Sequence, residues 1–167
     1  MIKRLLVLAV LVAALRISGL LPFQTNDVAR LKPVEALVVS LQDGQVVLSG
    51  GESRGVGPDW DAALEDLRQG AEGTLFLGTA EQVVLCGEAE QLLRQITDSE
   101  ALRPAAVLCV SPETELDAKA VGDYLSAHNA GLTLQKLRAA LLRGEPVELP
   151  VLTKEEGGLR LHGATDR

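Results

Sequence analysis

The chain of 167 residues is long enough for an export segment and one domain with a sizeable core, and too short for two full domains. Its formal net charge is −7, and leaving out residues 1–19 with their three Lys and Arg side chains changes this to −10 for the remainder. Such an acidic surface repels phosphate backbones, and an aromatic content of 2% supplies few stacking platforms. Composition therefore argues against a nucleic-acid partner and predicts an aliphatic core.

The first residues have the pattern of an export signal. Lys3 and Arg4 precede an uninterrupted apolar run from Leu5 to Leu15, which is shorter than the roughly 20 residues of a spanning helix. If the run is extended past Arg16 to residue 23, its length approaches that of a membrane span. Residues 1–23 are therefore either a signal peptide that is cleaved or a signal anchor that is retained. In both cases the acidic remainder is exported.

The remainder predicts a polar lead-in at residues 24–33 and one extracytoplasmic domain at 34–167. Ala36–Leu41 and Gln45–Ser49 are short β-branched runs on either side of Asp43-Gly44, which is a hairpin signal. Residues 50–57 are rich in glycine and are predicted to form a loop. A helix is then predicted from Pro58 to Gly70, with Trp60, Ala63, Leu64 and Leu67 on its buried face.

The rest of the domain alternates between apolar strands and amphipathic helices. Further strands are predicted at 74–77, 82–86, 105–110, 147–152 and 159–162, and further helices at 88–97, 116–127 and 133–142. The predicted buried positions of the last two helices are Leu116, Ala120, Val121, Tyr124, Leu125, Leu134, Leu137 and Leu141. This mixture predicts an α+β (α/β-like) fold, with a single mixed β-sheet packed with about four helices.

Two cysteines are too few for a disulfide scaffold. Cys86 and Cys109 both lie in apolar runs that predict buried strands. They are either two buried free thiols or one bridge between neighbouring strands, which would need their Cα atoms within roughly 7 Å. Neither their spacing nor that of the two histidines predicts a metal site, and no cofactor is predicted.

Gly51-Glu52-Ser53-Arg54-Gly55 has the G-x-S-x-G pattern of a hydrolase nucleophile elbow. An elbow runs directly from strand to helix, whereas Val56, Gly57 and Pro58 intervene here. The same glycines do not form a phosphate loop, because no Lys-Ser or Lys-Thr follows them. A glycine loop without chemistry is favoured, and a secreted serine hydrolase that uses Ser53 is the alternative.

Several weak motifs occur in a recognisable order along the chain. The stretches are ISGL at residues 17–20, NDVARLKPVEALVVSLQDGQVVLSG at 26–50, Gly57 with Ala62-Ala63-Leu64, LFLGTAEQVVLCGE at 75–88 and LPVLTKEEGGLRLHGA at 149–164. This order resembles the Ger(x)C family, the C-subunit lipoproteins of spore germinant receptors. The chain differs from the family pattern at Leu20, which replaces the lipid-bearing cysteine, and at Thr79, which replaces a common histidine. It also ends at Arg167, where family members continue through two further domains.

The resemblance implies a non-enzymatic, membrane-tethered extracytoplasmic domain similar to the N-terminal domain of those subunits, acting in spore germination. Its expected partners are membrane protein subunits, its expected location is the outer face of a bacterial membrane, and a secreted form is the alternative. Loops on a rigid scaffold tend to carry contacts, so Glu52, Ser53 and Arg54 are the predicted partner-binding residues. A generic exported binding domain unrelated to sporulation stays open as a further alternative.

Overall fold

The computed structural model describes residues 31–163 of the chain. The predicted signal or anchor at residues 1–23, and most of the predicted lead-in, lie outside these residues. The described elements are the strands β1 (Leu31–Pro33), β2 (Ala36–Gln42), β3 (Gln45–Gly50), β4 (Ser53–Gly57), β5 (Thr74–Phe76), β6 (Gln82–Cys86), β7 (Val107–Ser111), β8 (Val151–Glu155) and β9 (Gly158–His162), and the helices α1 (Trp60–Gly70), α2 (Leu93–Asp98), α3 (Ala118–Ala127) and α4 (Leu134–Arg143). Short 3-10 helices lie at Leu77–Thr79 and Gly87–Leu92. Within this part of the chain no helix is both long and apolar enough to cross a membrane.

Seven of the strands form one mixed sheet in the order β4-β3-β2-β6-β7-β8-β9. The neighbouring strands β2, β6, β7 and β8 run parallel, and antiparallel hairpins extend the sheet at both sides. The predicted β2–β3 hairpin is confirmed, with Asp43 and Gly44 both at positive φ, 51° and 77°. Two positive φ values are what a two-residue hairpin turn of this hand requires. A separate parallel pair, β1 with β5, was not predicted.

Helices cover both faces of the sheet, and this confirms the predicted α+β class. One face, here called the α1 face, carries Leu37, Leu48, Leu85 and Leu108 and packs against α1, α2 and α4. The opposite face, here called the α3 face, carries residues such as Val38, Val84 and Cys109 and packs against α3. Strands that are buried on both faces, such as β6, are apolar at every position but the first.

The prediction that residues 50–57 form a loop is wrong, because Ser53–Gly57 is strand β4. The glycines of this strand are needed because the absence of a side chain leaves space for α1, and not because they make the chain flexible. A Cβ atom on Gly55 would lie 2.6 Å from the Cα of Leu67 in α1, and one on Gly57 would lie 2.7 Å from the carbonyl carbon of Ala62. The two glycines therefore let the backbone of α1 lie directly on β4, a close approach that only glycine allows.

Some predicted boundaries and buried positions also differ from the structure. The helix predicted at 88–97 is a 3-10 helix followed by α2, and β8 begins at Val151 instead of residue 147. Helix α1 begins at Trp60, because Asp59 is its N-cap and accepts a hydrogen bond from Ala62 N. Ala120 and Leu141 were predicted to be buried but are exposed. The buried face of each helix is narrower than its apolar pattern suggests.

At each outer edge of the sheet, a helix side chain accepts a hydrogen bond from one backbone N–H of the edge strand. At β4, the backbone N–H of Val56 donates to Asp66 Oδ2 of α1 at 2.8 Å. At β9, the backbone N–H of Leu161 donates to the Tyr124 hydroxyl of α3 at 3.1 Å. Unpaired edge N–H groups invite pairing with other chains, and these two contacts remove one such group from each edge.

Candidate functional site

The structure separates the three residues predicted to bind a partner. Glu52 is exposed in the β3–β4 turn and borders a shallow cavity of about 200 Å³ beside the N-terminal half of α3. Arg54 is exposed and donates to Gln42 Oε1 at 2.8 Å. By strand register Arg54 pairs with Ser49 and shares the α3 face, whereas Ser53 pairs with Gly50 and belongs to the α1 face.

Ser53 does not have the geometry of a nucleophile elbow. It begins a strand at one edge of the sheet, and four further residues of that strand follow it before the turn into α1. His162 lies in the strand at the opposite edge, roughly 29 Å away at the usual spacing between strands. His128 follows α3, on the other face of the sheet from Ser53. Neither imidazole is placed to accept the proton of the Ser53 hydroxyl.

A groove of about 660 Å³ lies between α3 and the β8–β9 hairpin and is here called the α3 groove. Its surface is mainly apolar, and its helix side is formed by Ala120, Tyr124 and Ala127. Leu159 of β9 forms the hairpin side. A volume of this size lies in the range of ligand and peptide pockets, roughly 300–1,000 Å³.

The groove forms because only some of the apolar residues of α3 pack against the sheet. Asp117 caps α3 by accepting from the backbone N–H groups of Lys119 and Ala120, which fixes the start of the helix. Val121 and Leu125 then point into the sheet, and the short side chain of Ala120 leaves space between helix and hairpin. The sequence pattern predicted that Ala120 is buried, and it therefore did not predict the groove.

Tyr124 fixes one wall of the α3 groove. Its hydroxyl accepts from Leu161 N, and its ring stacks on that of His128 with centroids 4.2 Å apart and an interplanar angle of 9°. The Nδ1 atom of His128 lies 2.9 Å from the carbonyl oxygen of Tyr124. The aromatic pair is therefore tied to the hairpin at one end and to the helix backbone at the other, which makes a preformed wall.

Acidic side chains dominate the rim of the α3 groove. Glu115, Asp117 and Asp123 line it on the helix side, and Lys154 lies on the hairpin side. The Asp117 carboxylate is also bonded to the start of the helix as its N-cap, whereas Glu115 and Asp123 are exposed at the rim. An apolar floor with an acidic rim is suited to an apolar segment that also carries basic groups.

The two cysteines are buried free thiols on adjacent strands of the α3 face. Burial, with the nearby charges of Glu113 and Glu115, raises the pKa of Cys86 from 9.0 to about 12. Burial, with Cys86 beside it, raises the pKa of Cys109 to about 12. The structure therefore has two free thiols and not a disulfide bridge between the strands. Because their pKa is raised, both thiols are protonated at neutral pH. Among residues 31–163 no group of His, Cys, Asp and Glu side chains is arranged to hold a metal ion.

Comparisons of the chain with protein-family models, curated proteins and solved structures find no match.

Proposed function

We propose that the chain is a membrane-tethered, extracytoplasmic protein-interaction domain that docks a partner in the α3 groove. The observation that carries this proposal is the groove itself: preformed, mainly apolar and acidic at its rim. An apolar groove with a polar rim is the usual form of a peptide or protein docking site. The partner would be a membrane protein subunit, and no catalytic step is required of the domain.

The tethering part of the proposal depends on the sequence. Residues 1–23 have the basic start and apolar run of a signal anchor, and few residues separate them from β1. Seven residues from Gln24 to Arg30 span at most roughly 25 Å when extended. A retained anchor would therefore hold the domain close to the bilayer and raise its effective concentration near membrane partners.

The order of the five motifs supports a more specific proposal, a role in spore germination like that of Ger(x)C N-terminal domains. Glu52 borders the cavity of about 200 Å³ beside α3, so it lies on the same side of the sheet as the groove and is assigned to the same partner surface. Ser53, on the α1 face, is assigned no partner contact. The proposed partner surface thus consists of the α3 groove with Glu52 at its far side.

The test is to fill the groove and follow a membrane partner. Ala120→Trp puts a large ring into the α3 groove from an exposed position, and Arg68→Trp places the same ring on exposed α1 as the matched control. Each full-length chain is purified from solubilised membranes of its own host. We expect one integral membrane protein to co-purify with the wild type and with Arg68→Trp, and to be lost with Ala120→Trp. Equal recovery with all three chains would contradict the proposal, and so would recovery of the chain in the soluble fraction with its first residue after Gly19.

A further inference from the structure

Strand β9 is an edge strand of the sheet, and it borders the α3 groove. Gly158 closes a two-residue turn opposite Glu155, so these two residues form a hydrogen-bonded pair. Antiparallel pairs alternate between bonded and non-bonded, and the N–H and C=O groups of Leu159 and Leu161 therefore point away from β8. The Leu161 N–H shows this direction, because it donates to the hydroxyl of Tyr124 at 3.1 Å. The outer edge of β9 thus faces the wall of the groove that Tyr124 forms.

Leu159 is the residue at which this edge is open to another chain. Its backbone N–H and C=O groups have no hydrogen-bond partner among residues 31–163. Leu159 is partly exposed and lines the groove together with Gly158, which is exposed. Its side chain lies on the α3 face, as does that of Lys154, its neighbour across the hairpin. The groove therefore has one open backbone donor and one open backbone acceptor beside its apolar surface.

The edge at β4 is arranged differently. Helix α1 lies directly on that strand, where Gly55 and Gly57 let the helix backbone come close. Asp66 of α1 also accepts the N–H of Val56, so an acidic side chain stands beside that edge. Strand β9 is therefore the edge at which open backbone groups and an apolar groove meet.

The charges at the groove indicate what kind of chain would pair with β9. Glu115 and Asp123 are exposed at the rim, and Lys154 is the basic residue on the hairpin side. Residues two apart in a strand point to the same side, so a residue opposite Leu159 and its second neighbours would all face α3. Apolar residues at these positions would cover the apolar surface, and a Lys or Arg next in the same series would reach the rim carboxylates. A second copy of this chain would instead bring its own acidic rim, which charge repulsion disfavours.

We infer that the partner in the α3 groove is an extended segment that adds an antiparallel strand to β9. Both open groups belong to Leu159, and one residue of an antiparallel strand satisfies both of them. The apolar side chains of the segment would lie between Ala120 and Leu159, and its basic side chains would meet Glu115 or Asp123. In this kind of recognition the main-chain bonds supply affinity and the side chains supply specificity. The inference rests on the proposed docking function, to which it adds the partner's conformation and chemistry.

The probe is the peptide acetyl-Lys-Thr-Leu-Thr-Leu-Thr-Lys-amide, whose leucines and lysines share one side of a strand. In an antiparallel strand on β9 the leucine N–H groups point to β9, and the threonine N–H groups point away. N-methylation of both leucines therefore blocks pairing, and N-methylation of the first and last threonines is the matched control with the same mass and charge. A further control has Glu in place of both lysines.

Binding is measured by the fluorescence anisotropy of labelled peptide on the full-length chain in nanodiscs of a zwitterionic lipid, with empty nanodiscs as background. We expect the parent peptide to bind with a dissociation constant on the order of 0.1–1 mM. The leucine-methylated peptide and the Glu peptide should each bind at least about tenfold more weakly, and the threonine-methylated peptide within about twofold of the parent. The parent peptide should also slow hydrogen exchange at the Leu159 amide and leave that of Arg160, which faces β8, unchanged.

Docking in the groove without strand addition gives a different pattern. The leucine-methylated peptide then binds as tightly as the parent, and Ala120→Trp abolishes the binding of both, so only strand addition fails. If the parent peptide does not bind at all, strand addition also fails, whereas loss of the membrane partner with Ala120→Trp would still support groove docking. Strand addition in the groove is likewise overturned if the two methylated peptides bind in the reverse order, if the Glu peptide binds as tightly as the parent, or if Ala120→Trp leaves the binding intact.

Discussion

Gly55→Ala tests the close packing of α1 on β4. The added Cβ atom would lie 2.6 Å from Leu67 Cα, whereas real Cβ atoms essentially never come within 3.0 Å of a neighbour. The added Cβ atom would clash with backbone atoms of α1, which cannot rotate away. The helix and the strand must therefore separate by roughly 1 Å to reach ordinary contact distance. Overpacking costs about 1–3 kcal/mol, and we expect the upper end because no side chain can rotate away. For a domain of this size, about 3 kcal/mol corresponds to a fall in melting temperature of about 10 °C.

The assay is urea unfolding of the full-length chain, followed by the fluorescence of Trp60, which is buried at the start of α1. Gly157→Ala is the matched control, since a Cβ atom there would meet nothing within 4 Å and its φ is not positive. It should leave the free energy of unfolding unchanged or raise it by about 0.5 kcal/mol. If Gly55→Ala lies within about 0.5 kcal/mol of the wild type, α1 does not rest on β4 as described.

Three further results are expected. Tyr124→Phe removes the hydroxyl that accepts from Leu161 N, so it should cost about 1 kcal/mol of unfolding free energy and speed hydrogen exchange at the Leu161 amide, and unchanged exchange there would refute the edge contact. Because the pKa of both thiols is raised from 9.0 to about 12, the unfolded chain loses these protons first as pH rises. Their contribution to stability should therefore be complete below about pH 9 and fall between pH 9 and 12, and Ellman's reagent should label the thiols only after denaturation; labelling of the native chain at pH 8 would contradict their burial. A fluorophosphonate probe should label neither the wild type nor Ser53→Ala, and labelling that depends on Ser53 would favour the hydrolase alternative.

Much of the fold could be predicted because local signals and tertiary packing agree. Asp43-Gly44 fixes the β2–β3 hairpin, and the uninterrupted apolar run at β7 predicts a strand buried on both faces. Gly144 ends α4 in the left-handed conformation, as the sequence indicates. The predicted buried face of α1, from Trp60 to Leu67, is confirmed at every position.

The missed features depend on which elements become neighbours. Strand β4 has the composition of a loop, and its glycines have meaning only when α1 lies against them. The α3 groove requires knowing that Ala120 faces the β8–β9 hairpin and not the core, which no periodicity reveals. Sites formed between distant segments are in general not encoded in local pattern.

The central claim is that the domain works by contact through the α3 groove at a membrane. The most direct measurement is photo-crosslinking in the intact host, with benzoylphenylalanine placed at residue 120 in the groove or at residue 68 on α1. We predict a crosslink to an integral membrane protein from residue 120 and none from residue 68. Crosslinks from residue 68 of equal yield, or no membrane-protein crosslink from residue 120, would contradict the account.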